Sequence, residues 1–583
     1  MREGSVVREG GGVIGGRSSS SSTQIQIIRP GEFEPHNHWY QKALHATIHP
    51  MVKFFMKLSQ ERMISRYVHL HPLVDPKALH DLLNYRCRHF VWSGADLLNV
   101  TSLGGRRHMV LIENNSCPSG QKSMPVGYDY GEITGYHLLM DQTFRHSLKN
   151  LRNKIDGGLA VLYDKNYMES SGYAHAMADS MQEPVYLVPF YDHGEHDHVR
   201  FVDGVMWIRE LSHQPDSLQS SSESVTPSNF PNPSEAHDTS DAVSHQPDTL
   251  HSSSKSPNPS DSWIPIRACY RYLTQRPWNR VPLQLRTRMI NPIHACLAGG
   301  RNKLVAAKAY DLFNSELEAS GLHIHTPETI WEVQKNEIPL WVQKMGGRAV
   351  IKVPYSNAGQ GVYTIVSARD LADFMAEDHP YDMFIVQSLI GNAAWSSTTQ
   401  KGKFYHVGTI PNKHNQTYVA DIRMMIASTS EGIKPICTYA RRARMPLADS
   451  VDEGAASWDM LGTNLSYKED GAWQSDTNRL ILMDGKDFNQ LGIGLDDLIE
   501  AYIQSVLSMI AIDKMASHLT TKSGAFRMRL FQSLNDDPVL MAEIAGANAS
   551  GGSSGPGGTS GPSFTSGPSF TSGAPGSSKK GSG

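Results

Sequence analysis

The sequence predicts an α/β (α+β) chain, and three observations carry that prediction. Apolar runs of strand length alternate with segments whose apolar residues recur at intervals of three and four. A glycine-tipped hairpin, GGRAVIKVPYSNAGQGVYTIV from Gly346 to Val366, holds one lysine, Lys352, in an otherwise apolar strand. Three low-complexity segments, one at each end and one in the middle, separate or flank the ordered sequence. At 583 residues the chain is long enough for two or three domains with ample core.

Composition narrows the function classes. The formal net charge is −4, so no basic field proposes nucleic acid as a partner. The five cysteines (Cys87, Cys117, Cys269, Cys296 and Cys437) are scattered without a CxxC pair, which argues for a reducing compartment and against a disulfide scaffold. The first residues lack an apolar leader and no run reaches the length of a membrane span. A cytoplasmic protein without a membrane partner is the expectation.

In order along the chain, residues 1–31 are rich in Gly and Ser and read as a disordered tail. A first half, 32–210, opens with helical periodicity at Ala43, Ile48, Met51, Val52, Phe55 and Met56, then a helix from Val74 to Tyr85. Phe90 to Val100 reads as a strand with Asp96 among apolar neighbours, and His108 to Ile112 reads as another, running into ENNSCPSGQKSMP. Residues 211–262 turn to Ser, Pro, His and Asp, with the near-repeats SHQPDSLQSSS and SHQPDTLHSSS. Their flanks are strand-like, so this segment reads as a disordered loop inserted in one folded unit. A second half, 263–545, contains a helix opened by Lys303 after Gly299-Gly300, the lysine hairpin, the apolar strand MFIVQSLIG, two further strands (Tyr418 to Ser428 and Ile433 to Arg444), and a long amphipathic helix from Leu495 to Leu519. Residues 546–583 form a Gly/Ser/Pro tail, also read as disordered.

The hairpin suggests an anion site. Glycines at its tip, in Asn357-Ala358-Gly359-Gln360-Gly361, let backbone N–H groups close on phosphate oxygens, and Lys352 adds a point charge from the adjoining strand. A lysine snorkelling from a strand end is the alternative.

Taken together, Lys303, Lys352, the strand Ile385 to Ile390 and the D-x-R pair Asp421/Arg423 resemble the ATP-grasp nucleotide site in its usual order. The resemblance implies that both lysines hold ATP phosphates, with Gly359, Gln360 and Gly361 closing over them. It implies that Gln387, Ser388 and Leu389 meet the adenine, and that Arg423 meets the transferred phosphoryl group. The family's Glu-x-Asn metal motif belongs last, yet its best match here, Glu113-Asn114-Asn115, comes first and is followed by Pro118-Ser119-Gly120. That order resembles circularly permuted ATP-grasp proteins, relatives in architecture of glutathionylspermidine synthetase. Such relatives often carry an arginine shortly after the Asn, where Ser116 and Cys117 stand here.

The expected cofactors are therefore ATP and Mg²⁺, with Asp96, Glu113 and Asn115 as oxygen ligands, since two residues apart on a strand share a face. A competing segment, PVLMAEIAGAN from Pro538 to Asn548, would restore the unpermuted order, but its Glu543 and Asn548 stand five apart. By resemblance, the reaction activates a small-molecule or peptide carboxylate as an acyl phosphate, which an amine or thiol then attacks. Arg442, beside Arg441 and Arg444, is a candidate for the anionic substrate. Arg271, Arg276, Trp278 and Arg280 either line a substrate pocket or form a packed turn. Asn464 is a further polar candidate. The histidine-rich run from Asp192 to His198 reads as a polar loop. A non-catalytic nucleotide-binding scaffold and a phosphotransferase acting on a hydroxyl are the other classes these motifs admit.

Overall fold

The computed structural model describes residues 24–125, 134–149, 155–191, 197–209, 262–274, 280–356, 359, 361–400, 402–451, 457–469 and 472–549. Gln360, Arg276, Trp278, most of the histidine-rich run and the low-complexity insertion lie outside them.

The described chain opens with strand β1 (Gln26–Ile28), so the segment read as a tail ends earlier than residue 31. Ile25 and Ile28, three residues apart and so on opposite faces, are both buried, each in a different hydrophobic cluster. Four helices follow: α1 (Gln41–Leu44), α2 (Pro50–Met56), α3 (Gln60–Leu70) and α4 (Pro76–Leu83). Next come β2 (Trp92–Ser102), β3 (Arg107–Asn115), α5 (Gly135–Leu139), α6 (Arg145–Lys149), β4 (Gly158–Tyr163), α7 (Tyr167–Met181), β5 (Val185–Pro189), β6 (Val199–Val202), β7 (Val205–Arg209), β8 (Trp263–Tyr272) and β9 (Arg288–Ile290). The lysine half contains α8 (Ile293–Ala295), α9 (Lys303–Leu317), β10 (Thr329–Gln334), α10 (Ile338–Lys344), β11 (Ala349–Lys352), β12 (Val362–Ile365), α11 (Ala368–Ala376), β13 (Met383–Ser388) and β14 (Phe404–His406). The remainder is β15 (Ala420–Thr429), β16 (Gly432–Arg442), α12 (Ser457–Leu461), β17 (Ser466–Glu469), β18 (Ala472–Ser475), β19 (Leu480–Ile481), α13 (Leu495–His518), α14 (Met528–Leu534) and α15 (Pro538–Ala549).

Three larger sheets organise these elements. The first, in the order β1-β5-β4-β8-β7-β6 with β9 beside β8, has the parallel unit β4–α7–β5 at its centre. Here β7 pairs antiparallel with β8, so the flanks of the low-complexity segment lie side by side. The second is antiparallel, β10-β13-β11-β12, and contains the lysine hairpin. In the third, also antiparallel, β2 pairs with β3, β14 and β15, and β16 and β19 continue beyond β15. It draws β2 and β3 from before residue 211 and its other strands from after 262, so the two halves share one sheet.

Side-chain alternation gives the third sheet two different faces. Ala95, Leu97, Met109, Leu111, Ile422, Met424 and Ile426 form one face and join a hydrophobic cluster with α13. Helix α13 is not the half-exposed amphipathic helix its periodicity predicts. It is buried on nearly every side because the sheet, α9 and the helices α2–α4 surround it. Its polar residues serve loops instead. Asp513 accepts backbone hydrogen bonds from Arg88, His89 and Phe90 at 3.0, 2.7 and 2.8 Å, fixing the entry into β2.

The segment Pro538 to Asn548 is helical, which removes it as a metal strand. Asp537 accepts from the N–H groups of Val539 and Leu540, and Pro538 stands at the first helical turn, both start signals for a helix. Glu543 accepts a hydrogen bond from the Tyr381 hydroxyl at 3.0 Å.

Replacing Asp513→Ala strands three N–H donors, that of Phe90 fully buried, and is expected to cost about 2–4 kcal/mol of stability. A loss of less than about 0.5 kcal/mol, measured by urea denaturation, would contradict the capping role.

Candidate functional site: a charged cleft between two antiparallel sheets

The second face of the third sheet carries a row of polar side chains. Antiparallel register sets Glu113 opposite Asp96, Asp96 opposite Arg423, and Arg423 opposite Tyr439, one residue from each of β3, β2, β15 and β16. Asp421 and Arg441 face one another two residues along, on the same face. Apolar strand sequence delivers charged groups here because every second residue turns away from the core.

These groups form a buried ionic cluster. Arg423 donates from Nε and Nη2 to the two oxygens of Asp96, both at 2.6 Å. Arg441 lies 2.9 Å from Asp96 Oδ2, donates from Nε to Asp421 Oδ1 at 3.0 Å, and binds the other Asp421 oxygen through Nη2. Burial alone would raise the Asp96 carboxyl, but Arg423 and then Arg441 outweigh it and hold it at about 2. Both Asp96 oxygens are thus engaged by guanidinium groups. The metal-ligand position expected of Asp96 is filled by this pairing, and the residue instead orients two arginines.

Glu113 and Asn115 line the same cleft, while Asn114 between them turns away to Ser93 Oγ (2.6 Å) and the Tyr310 hydroxyl (3.0 Å). Asn115 donates to the Gly94 carbonyl at 3.3 Å. Glu113 lies 3.4 Å from the ammonium of Lys303, at the start of α9. Asn302 caps that helix, accepting from Val305 N–H at 3.2 Å. The N–H of Lys303 donates to the Pro354 carbonyl at 2.9 Å and its ammonium binds the Ser356 carbonyl, so the helix start docks on the hairpin turn.

The second sheet forms the facing wall, contributing Val350, Lys352, Val362, Thr364 and Gln387. Lys352 is only 5% exposed. Burial pushes its ammonium down to about 8, Lys303 adds to that, and Glu113 opposes it. Gly359 and Gly361 line the cleft with φ of +77° and +64°, a backbone region that favours glycine. Gln387, Ser388 and Leu389 also line it. However, the N–H of Ser388 donates to the Glu328 carbonyl (2.8 Å), that of Leu389 to Ser397 Oγ (2.7 Å), and the Gln387 amide to Thr329 Oγ1 (2.9 Å). These three donors serve the protein itself.

Arg442 does not join the cleft. Alternation along β16 turns Arg441 and Tyr439 inward and Arg442 to the opposite face, where its guanidinium lies over the Tyr418 ring at 4.7 Å. Arg271 is a buried strut, donating to the carbonyls of Asn291 (2.8 Å) and Leu273 (3.1 Å), and Arg280 pairs with Asp164 at 3.1 Å. Arg271 belongs to β8, and the turn between it and Arg280 lies outside the described residues. Asn464 lines the cleft.

Three features escape a reading of the sequence. Glu169 on α7 accepts from Ser119 Oγ (2.7 Å) and from the N–H groups of Gly120 (2.7 Å) and Gln121 (2.9 Å), holding the Pro-Ser-Gly loop from behind. From the cleft side, the Tyr439 hydroxyl and Arg423 donate to the Ser119 carbonyl at 2.7 and 3.3 Å. At the far end, Lys122, Lys165 and Arg301 line the same cavity. Burial and then Arg301 push the Lys165 ammonium down to about 8. Nothing in the spacing of these residues signals that they meet. The whole cavity measures about 970 Å³.

No known protein family matches the chain, and no curated protein matches its sequence. Among solved structures it is similar to a RimK domain ATP-grasp protein from Sphaerobacter thermophilus, at 13% identity over 34% of this chain and 79% of that one, with a TM-score of 0.17. It is also similar to a glutathione synthetase-like effector from Globodera pallida in its apo form, at 8% identity over 67% of this chain and 81% of that one, with a TM-score of 0.32. In this chain a four-stranded antiparallel sheet with a glycine-tipped lysine hairpin faces a larger antiparallel sheet across a charged cleft.

Asp96→Asn leaves Arg423 and Arg441 with one carboxylate between them and is expected to cost about 3–5 kcal/mol, the range for breaking a buried ion pair. Chemical denaturation measures it, and a change within about 0.5 kcal/mol would refute the central role of Asp96.

Proposed function

We propose that this protein is an ATP- and Mg²⁺-dependent ligase that activates a carboxylate as an acyl phosphate for attack by an amine or thiol. The observation that carries the reading is the meeting of Lys303, Lys352, Glu113, Asn115 and Arg423 around one cleft, although the chain supplies them from segments hundreds of residues apart. The donor set fits the cofactors. Lys352 is a buried ammonium whose charged form an anion would favour, and Glu113 with Asn115 offers the hard oxygens that Mg²⁺ prefers. Glu113 and Asn115 would hold Mg²⁺, which would supply positive charge against the charge developing during phosphoryl transfer.

The protein's own residues then have defined tasks. Lys303 and Lys352 hold phosphates, and the glycine hairpin closes over them to exclude water. Arg423, fixed by Asp96, presents its guanidinium where the phosphoryl group moves. Arg441 takes the substrate-facing position first assigned to Arg442. Lys122, Lys165 and Arg301, which line one part of the cleft together, favour an acid substrate carrying a further anionic group. In this reading the metal strand precedes the lysine hairpin, which is the permuted order of the family.

Incubation with ATP, Mg²⁺ and pooled acids, amines and thiols is expected to release ADP and yield an amide or thioester by mass spectrometry. Arg423→Lys, which retains charge but not the fork, is expected to lower ADP release about 100-fold or more, while Arg442→Ala leaves it within about twofold. Tight ATP binding without ADP would favour a nucleotide-binding scaffold, and ADP without a condensed product a phosphotransferase.

The pH dependence has a definite sign. A bound triphosphate favours charged Lys352 and raises its pKa, so ATP binding between about pH 8 and 9 is expected to take up a proton and weaken as pH rises. Calorimetry in buffers of different ionisation enthalpy reads this directly; proton release would contradict it.

A further inference from the structure

At the opposite end of β3 from Glu113, three side chains outside the cleft converge. His108 opens β3, His325 lies in the loop before β10, and Glu500 sits on α13. One ligating atom from each lies within 4.8 Å of the others. His325 Nδ1 stands 3.7 Å from Glu500 Oε1, beyond hydrogen-bond reach, and this buried nitrogen has no hydrogen-bond partner. The two imidazole rings meet edge-on, with centroids 5.1 Å apart at 82°.

The separation of His325 and Glu500 approaches that of two ligands on one ion. Two ligands each held about 2.0–2.1 Å from a tetrahedral Zn²⁺ stand roughly 3.3–3.4 Å apart, close to the His325–Glu500 separation. Glu500 keeps its orientation through the Met109 N–H, which donates to Oε1 at 3.1 Å. Beside Glu500 lies a cavity of about 220 Å³, lined also by His71 and Arg106 but not by His108 or His325.

We propose that His108, His325 and Glu500 form a zinc site that ties the start of β3 to the loop before β10 and to α13. Two imidazoles and one carboxylate are a donor set that Zn²⁺ accepts, whereas Mg²⁺ prefers oxygen alone. The site does not depend on the nucleotide reading of the cleft.

The test uses the full chain, stripped with a chelator and titrated with Zn²⁺ against a chromogenic competitor. One zinc per chain is expected, together with a rise in melting temperature. Co²⁺ in its place is expected to give the visible absorption of a tetrahedral ion. His325→Ala and Glu500→Gln are each expected to weaken zinc by more than the about 10–100-fold that loss of an outer-shell partner costs. The neighbouring His323→Ala is expected to leave it unchanged. Glu500→Gln, which retains an acceptor for Met109, covers the case in which His325→Ala fails to fold. Zinc bound no more tightly by the parent chain than by folded Glu500→Gln would overturn the proposal, as would an equal loss in His323→Ala.

Discussion

The buried cluster of Asp96, Arg423, Arg441 and Asp421 is the constraint on which the rest of the site depends. Four charges removed from water are tolerable only when each finds an opposite partner with good geometry, and the antiparallel register of β2, β15 and β16 supplies that. A slip of one residue in any of these strands would turn its charged members into the hydrophobic face beneath α13. The ion pairs and the α13 core therefore specify the same register from opposite sides of one sheet. This agreement also aims Arg423 at the cleft and at the Ser119 carbonyl.

A second constraint acts between the sheets. Lys303 docks its helix start on the hairpin turn through Pro354 and Ser356 while its ammonium lies beside Glu113 of the other sheet. Lys352 is buried close enough to feel the charges of Glu113, Lys303 and Asp96. The cleft thus keeps its cations close together, with carboxylates that offset them only in part. A polyanion entering between the sheets would meet groups already in place, which reduces the reorganisation that binding requires.

Much of this was legible in residue order. The lone lysine in an apolar strand, the glycines after it, the alternation around Asp421 and Arg423, and the E-x-N spacing all follow local periodicities of two residues, and local periodicity is what a sequence displays. Other features were misread because a local pattern has more than one tertiary use. Arg441 and Arg442 differ only in which face of β16 they occupy, and the register of β16 against β15 decides that Arg441 faces the cleft while Arg442 lies over Tyr418. The apolar run after Pro538 suits a strand by composition, yet Asp537 and Pro538 start a helix. The periodicity of α13 suggested an exposed face, but surrounding elements cover it.

The sequence by itself determined the strands, the hairpin lysine, the helix opened by Lys303, and the face shared by Glu113 and Asn115, because each depends on neighbours a few residues away. Only the tertiary structure decided that Asp96 is spent on arginines, that Glu169 holds the Pro-Ser-Gly loop, that Lys122, Lys165 and Arg301 gather at one end, and that His108, His325 and Glu500 meet at all. Those outcomes follow from strand register and sheet packing between distant segments, where the energetics of burying charge select the partner and no spacing along the chain records it.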